Sequence, residues 1–82
     1  MAEKGLLSGR RTPNGFDRKL GAVLRTLRKK KERSMDSVGF DVGISYQQYA
    51  KLENGESRCT VSRLIDICRV LEAPVERVLG LL

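Results

Sequence analysis

Residues 34–55 read SMDSVGFDVGISYQQYAKLENG, and this stretch decides the fold. Ser34 can cap a helix with its hydroxyl, and Asp36 suits the positive first turn. Val38 and Val42 then share one face at i, i+4. Gly43 follows at the position where a left-handed residue closes a helix. Ser45 opens the next element. Ser45 with Gln48 matches the capping box, in which cap and third residue satisfy each other's backbone. Tyr49 and Leu52 form its inward pair at i, i+3, and Asn54-Gly55 ends it. The reading is two short helices, about 35–42 and 45–53, joined by a glycine-containing turn of about three residues.

Outward from this pair the helical period persists. Upstream, Phe16, Leu20, Val23, Leu24 and Leu27 make one apolar stripe, predicting a first helix from Asp17, as its cap, to about Arg33. Lys29-Lys30-Lys31 fall in its last turns, where cations suit the negative helix end. Downstream, Thr60 caps a fourth helix with Val61, Leu64, Ile65, Cys68 and Leu71 inside. Pro74 breaks it. Val75 to about Leu81 makes a fifth. No strand alternation and no repeat occurs. The expected fold is all-α, with mostly local contacts and fast folding. Residues 1–16, with Arg10-Arg11, Pro13 and three glycines, read as a flexible basic arm ahead of a domain over 17–82.

Composition bounds the function. The 82 residues make one small domain with a thin core, burying about 60% of its unfolded surface. Hydrophobic residues are 40% and charged residues 32%, too apolar for a disordered chain. No apolar run approaches the roughly 20 residues of a membrane span, and the first residues open no secretory signal. The expected location is therefore cytoplasmic. Histidine is absent, and the two cysteines, Cys59 and Cys68, make neither a CxxC pair nor a four-ligand zinc site. Without a GxSxG or Walker-type loop there is no catalytic set, so no enzyme, metal or cofactor is expected. The net charge of +6 is uneven. Residues 1–33 hold 11 bases and 3 acids; residues 34–82 hold 5 bases and 7 acids. A basic end on a small domain favours a nucleic acid as partner.

Two short helices around a glycine turn have the spacing of a helix-turn-helix. With Leu27-Arg28, the Gly43-Ile44-Ser45 turn, Leu52-Glu53-Asn54-Gly55 and Leu64 to Leu71 followed by Ala73, residues 18–79 resemble the Cro/repressor-type (XRE) helix-turn-helix regulators of bacteria and phages. The resemblance implies a five-helix, lambda-repressor-like DNA-binding domain. Helix three would read the major groove and helix two would lie across the backbone. It also implies that Arg28 pairs with Glu53.

The residues supply the contacts such a module needs. Tyr46, Gln47, Ala50 and Lys51 share the outer face of helix three. Gln47 can bond adenine, Lys51 guanine, and Ala50 a thymine methyl. Gln48 is a further base-contact candidate, although its capping role explains it without DNA. Backbone contacts fall to Ser34, Met35 and Ser45 at helix starts, and to Asn54, Arg58 and Arg63 in or beyond the following loop. Val75, Val78, Leu79, Leu81 and Leu82 offer an isologous dimer interface. The expectation is a repressor binding a two-fold symmetric operator on double-stranded DNA as a homodimer, nucleoid-associated. The rival is a protein-binding module, an antitoxin or antiactivator on the same scaffold. Two departures stand out. Met35 replaces the Gln that often bonds phosphate in this family, and Gly39 replaces an Ala, costing the helix about 1 kcal/mol. Phe40 is expected on the surface.

Overall fold

The computed structural model describes residues 15–82. It holds five helices: α1 (Gly15–Lys30), α2 (Met35–Val42), α3 (Tyr46–Glu53), α4 (Val61–Val70) and α5 (Val75–Gly80). Among the described residues there is no strand, and no helix is long and apolar enough to cross a membrane. Residues 1–14 of the expected basic arm lie outside the described residues, and Gly15 and Phe16 open α1.

The local signals act where the chain puts them. The Ser34 hydroxyl accepts the Ser37 N–H at 3.0 Å. Ser45 accepts from the Gln48 N–H at 3.1 Å, and the Gln48 side chain accepts from the Ser45 N–H at 3.0 Å. Thr60 accepts from the Arg63 N–H at 3.2 Å. Gly43, at φ 93°, closes α2, with the Ile44 N–H reaching the Gly39 carbonyl at 2.9 Å. Together these satisfy some of the orphan groups that helix ends leave exposed.

Two other closures use glutamates. Glu32 (φ 56°) ends α1 and Glu72 (φ 57°) ends α4, both left-handed. The Arg33 N–H then reaches the Arg28 carbonyl at 3.2 Å, and the Ala73 N–H the Cys68 carbonyl at 2.9 Å. A non-glycine residue there is strained by about 1–2 kcal/mol. The closure at Glu32 is why α1 stops at Lys30, short of the expected Arg33. Asp17 sits inside α1, not at its cap.

The core joins Leu20, Leu24, Val38, Tyr49, Leu52, Leu64, Ile67, Cys68, Leu71 and Val78. Burying each large side chain contributes about 1.5–3 kcal/mol. The stripes are rotated from the expected ones. On α1 the buried positions are Asp17, Leu20, Gly21, Leu24 and Arg28; Val23 and Leu27 are partly buried, and Phe16 is 52% exposed. The cause is α3, whose end presses on α1 through Gly21. A Cβ there would lie 2.4 Å from the Glu53 carbonyl oxygen and 2.5 Å from that of Leu52. On α4, Ile67 is fully buried, Ile65 only half, and Val61 is 74% exposed. Val61, in the first turn, faces solvent, so the buried stripe begins one turn later than expected, at Leu64. Val78 also departs from expectation. It is fully buried in the core and so unavailable to a partner.

Candidate nucleic-acid interface

The α2–turn–α3 unit is held by close backbone approach on its inner side. At Gly39 a Cβ would meet the Ile44 carbonyl oxygen at 3.2 Å and the Tyr49 Cβ at 3.4 Å, so the missing side chain lets the two helices meet. Tyr49 and Leu52 point into the core. About 100° per residue then turns Tyr46, Gln47 and Lys51 outward, and all three are exposed. Ala50, in the middle of that face, is half-buried. Gln48 is exposed, but its carbonyl oxygen is engaged in the cap, which leaves its amide NH₂ as the free donor.

The end of α3 is anchored by charge. Arg28 Nε donates to Glu53 Oε2 at 2.6 Å and Nη2 to Oε1 at 3.1 Å, a bidentate fork. Its Nη1 donates to the Arg33 carbonyl at 2.8 Å. One guanidinium thus ties α1, the end of α3 and the approach to α2. Both residues are buried. The hydrogen bond to Glu53 raises the Arg28 pKa above its ordinary value, against the lowering effect of burial. Tyr49 is fully buried, and its hydroxyl finds no hydrogen-bond partner of normal geometry. Burial first, then the nearby Glu53 carboxylate, pushes its pKa well above the usual tyrosine range. Arg33 braces α2 from outside, donating to Ser37 Oγ at 2.6 and 2.9 Å and to Asp41 Oδ2 at 2.6 Å.

The loop after α3 is equally constrained. Gly55 is left-handed (φ 73°), and a Cβ would lie 2.6 Å from Arg18 Cγ and 2.8 Å from its Cα. Its N–H reaches the Leu52 carbonyl at 3.2 Å, and the Glu56 N–H that of Lys51 at 2.8 Å. Only glycine fits both the backbone and the space. Asp17, buried on α1, lies 3.9 Å from Arg58 Nε. Gln48, Arg58 and Arg63 line one cleft with Ile44, Leu52, Ser57 and Thr60, so three candidate contacts from two helices and a loop come together. Ser34, Ser45 and Asn54 are exposed, whereas the Met35 side chain packs against the core and leaves only its backbone N–H at the start of α2.

Among the described residues no cluster of metal-ligating side chains occurs. Cys59 and Cys68 are free thiols; burial pushes Cys59 up to about 11 and Cys68 upward, which disfavours the reactive thiolate. Leu79 and Leu81 are exposed, while Val75 and Leu82 are partly buried against the core.

Sequence reasoning missed Asp17, Gly21 and Gly55 as site-positioning residues. A faint signal existed: Asp17, Gly21 and Arg28 recur at helical spacing along the face of α1 that meets α3.

A capped helix pair with one outward polar face, locked from behind by a buried ion pair, defines a helix-turn-helix module. The sequence profile of the helix-turn-helix domain family matches residues 19–79, and the chain belongs to that family, with the Cro/repressor-type arrangement. Among relatives, an uncharacterised helix-turn-helix-type transcriptional regulator of Sinorhizobium medicae is 33% identical over 70 residues, 85% of this chain and 50% of the relative. A transcriptional regulator from the ATPase CF(0) region of Rhodospirillum rubrum is 32% identical over 69 residues, 84% of this chain and 64% of the relative. The chain spans about half the length of the curated relatives it matches. The clp gene regulator ClgR of Corynebacterium glutamicum superposes with a TM-score of 0.80 at 26% identity, over 84% of this chain and 88% of that one. The biofilm master regulator SinR, crystallised with DNA, shares the fold, with a TM-score of 0.66 at 21% identity over 73% of this chain and 97% of that one.

Proposed function

We propose that this chain is a sequence-specific DNA-binding transcriptional repressor that occupies a two-fold symmetric operator as a homodimer. The observation that carries the reading is the exposed Tyr46–Gln47–Lys51 face of α3, presented on a helix whose other side is fixed by Tyr49, Leu52 and the Arg28–Glu53 pair. In this reading Gln47 and Lys51 read base edges, with Tyr46, Gln48 and Ala50 beside them. Ser34, the Met35 N–H, Ser45, Asn54, Arg58 and Arg63 set the register on phosphates. Residues 17–82 are the DNA-binding domain, and the residues before them are basic, holding Arg10-Arg11. The relatives' naming as transcriptional regulators and the crystallisation of SinR with DNA support it.

One module reads only a few base pairs, so two copies would engage half-sites about 34–36 Å apart. Leu79 and Leu81, flanked by Val75 and Leu82, are the apolar surface for that pairing. Deleting residues 80–82 should leave a monomer by solution mass; an unchanged dimer removes this interface.

The test is selection of bound sequences from a random DNA pool at near-physiological salt. The expected result is a symmetric motif with half-sites one turn apart. Changing Tyr46, Gln47 and Lys51 together to Ala should abolish the preference and leave the fold intact. Binding without sequence preference, collapsing as salt rises, would instead be phosphate attraction alone. A second reading, a protein-binding module, is favoured by Phe40, 83% exposed on α2, and by the single base on α3. It takes over if the selection recovers no motif.

A further inference from the structure

The positive charge of this protein is not on the helix that reads bases. α3 carries one base, Lys51, whereas α1 carries Arg18, Lys19, Arg25, Arg28, Lys29 and Lys30. Of these only Arg28 is consumed inside the protein. The other five are exposed and form no ion pair among the described residues. At about 100° per residue they fall in two rows. Arg18, Arg25 and Lys29 lie beside Gly21 and Arg28, on the flank of α1 turned toward α3. Lys19 and Lys30 lie on the opposite flank, with Ala22 and Thr26 between.

The first row has a defined course. It starts at Arg18, which abuts Gly55 in the loop after α3. It finishes at Lys29, beside Arg28, whose guanidinium reaches the Arg33 carbonyl just before the Ser34 cap of α2. Both ends are therefore the places where phosphate contacts are proposed above, Asn54 and Arg58 at one, Ser34 and Met35 at the other. From Arg18 to Lys29 the row spans about 17 Å at about 1.5 Å per residue. Duplex DNA presents about one phosphate charge per 1.7 Å of axis, so a row of this length is matched by several phosphates.

We infer that Arg18, Arg25 and Lys29 form a second backbone-contact track on α1, which follows the phosphates of the same duplex that α3 reads. The inference rests on the DNA-binding reading and extends it to residues outside the helix-turn-helix. The track adds affinity without adding sequence preference, which compensates for the weak charge of α3.

The experiment is a salt titration of binding to the selected duplex, with three variants beside the natural chain. The first is Arg18→Gln/Arg25→Gln/Lys29→Gln, the second Lys19→Gln/Lys30→Gln, the third Arg18→Lys/Arg25→Lys. Each neutralised phosphate contact contributes about 0.9 to the slope of log affinity against log salt, so three contacts contribute about 2.7. The triple variant should therefore lose that much slope. Raising salt from 50 to 200 mM should weaken the natural chain about 40-fold more than the triple variant. The selected motif should not change. The Lys19/Lys30 variant should keep the full slope, and the lysine variant should retain it because charge is conserved.

An unchanged slope in the triple variant, with the motif still bound, overturns the track. So does an equal loss in the Lys19/Lys30 variant, which would mean diffuse attraction. So does loss only of the capture of a second, unrelated duplex, which would mean bridging. If the natural chain binds no duplex at all, the DNA-binding reading fails and takes this inference with it. Circular dichroism of each variant checks the fold.

Discussion

Cutting the Arg28–Glu53 pair on one side should nearly unfold this protein, and cutting it on both sides should hurt less. The guanidinium and carboxylate meet through two hydrogen bonds of 2.6 and 3.1 Å with both residues buried, Arg28 9% and Glu53 5% exposed. Their attraction at an effective dielectric of about 20 is of the order of 4 kcal/mol, much of it offset by the desolvation of two charges. Changing Glu53 to Leu leaves a buried cation without its partner and should cost about 3–5 kcal/mol. Arg28→Met strands the carboxylate and also releases the Arg33 carbonyl, now bonded at 2.8 Å, with a similar cost. A domain of this size has only about 4–12 kcal/mol of stability in total. Each single variant should therefore lose roughly 15 °C or more in melting temperature.

The double variant Arg28→Met/Glu53→Leu strands no charge and fills similar volume. It should be more stable than the worse single variant, with a coupling energy of about 2 kcal/mol or more. Urea unfolding followed by circular dichroism on all four proteins completes the cycle. If the two single costs simply add within about 0.5 kcal/mol, the pair is not coupled and the account of α3 as anchored by charge is wrong.

Four further outcomes follow from local geometry and burial. Gly21→Ala would place a methyl against the α3 carbonyls at 2.4–2.5 Å and should destabilise by about 3 kcal/mol in the same urea assay, whereas Gly15→Ala, with nothing nearby, should not. Tyr49→Phe removes a buried hydroxyl that makes no hydrogen bond of normal geometry and should raise the unfolding free energy by about 1 kcal/mol in the urea assay. Tyr49 and Cys59 both hold their protons more tightly folded than unfolded, Cys59 up to about 11 from 9.0. Ionising either group is therefore penalised in the folded state, so stability is unaffected below about pH 9 and falls as pH rises through 9–11 for the thiol and above about 10 for the phenol; Tyr49→Phe should make the alkaline fall less steep. Glu32→Gly relieves a left-handed glutamate at φ 56° and should stabilise by about 0.5–1 kcal/mol, read as a rise in melting temperature.

Much of the site was legible because its signals are local. Ser45 and Gln48 cap one another across a single turn, so no distant residue need be known to predict the bond. The outward face of α3 follows from Tyr49 and Leu52 by helical arithmetic alone. The apolar stripe of α1 lies about one position out of phase with its buried side. Asp17, Gly21 and Arg28 occupy that side instead, since α3 approaches too closely for larger side chains and supplies a carboxylate for the arginine. Val78 reads from sequence as part of an apolar surface larger than a small terminal helix needs; packing against α4 takes it into the core.

By itself, then, the sequence determined the five helices, their order, the caps at Ser34, Ser45 and Thr60, and the face of α3 that looks outward. These depend on hydrogen bonds and periodicities that close within a few residues. The tertiary structure decided which polar residues are buried, where helices touch backbone to backbone, and which apolar residues remain for a partner. Those depend on the distance between segments far apart in the chain, such as Arg28 and Glu53 or Arg18 and Gly55. No local pattern encodes that distance until the core has closed around it.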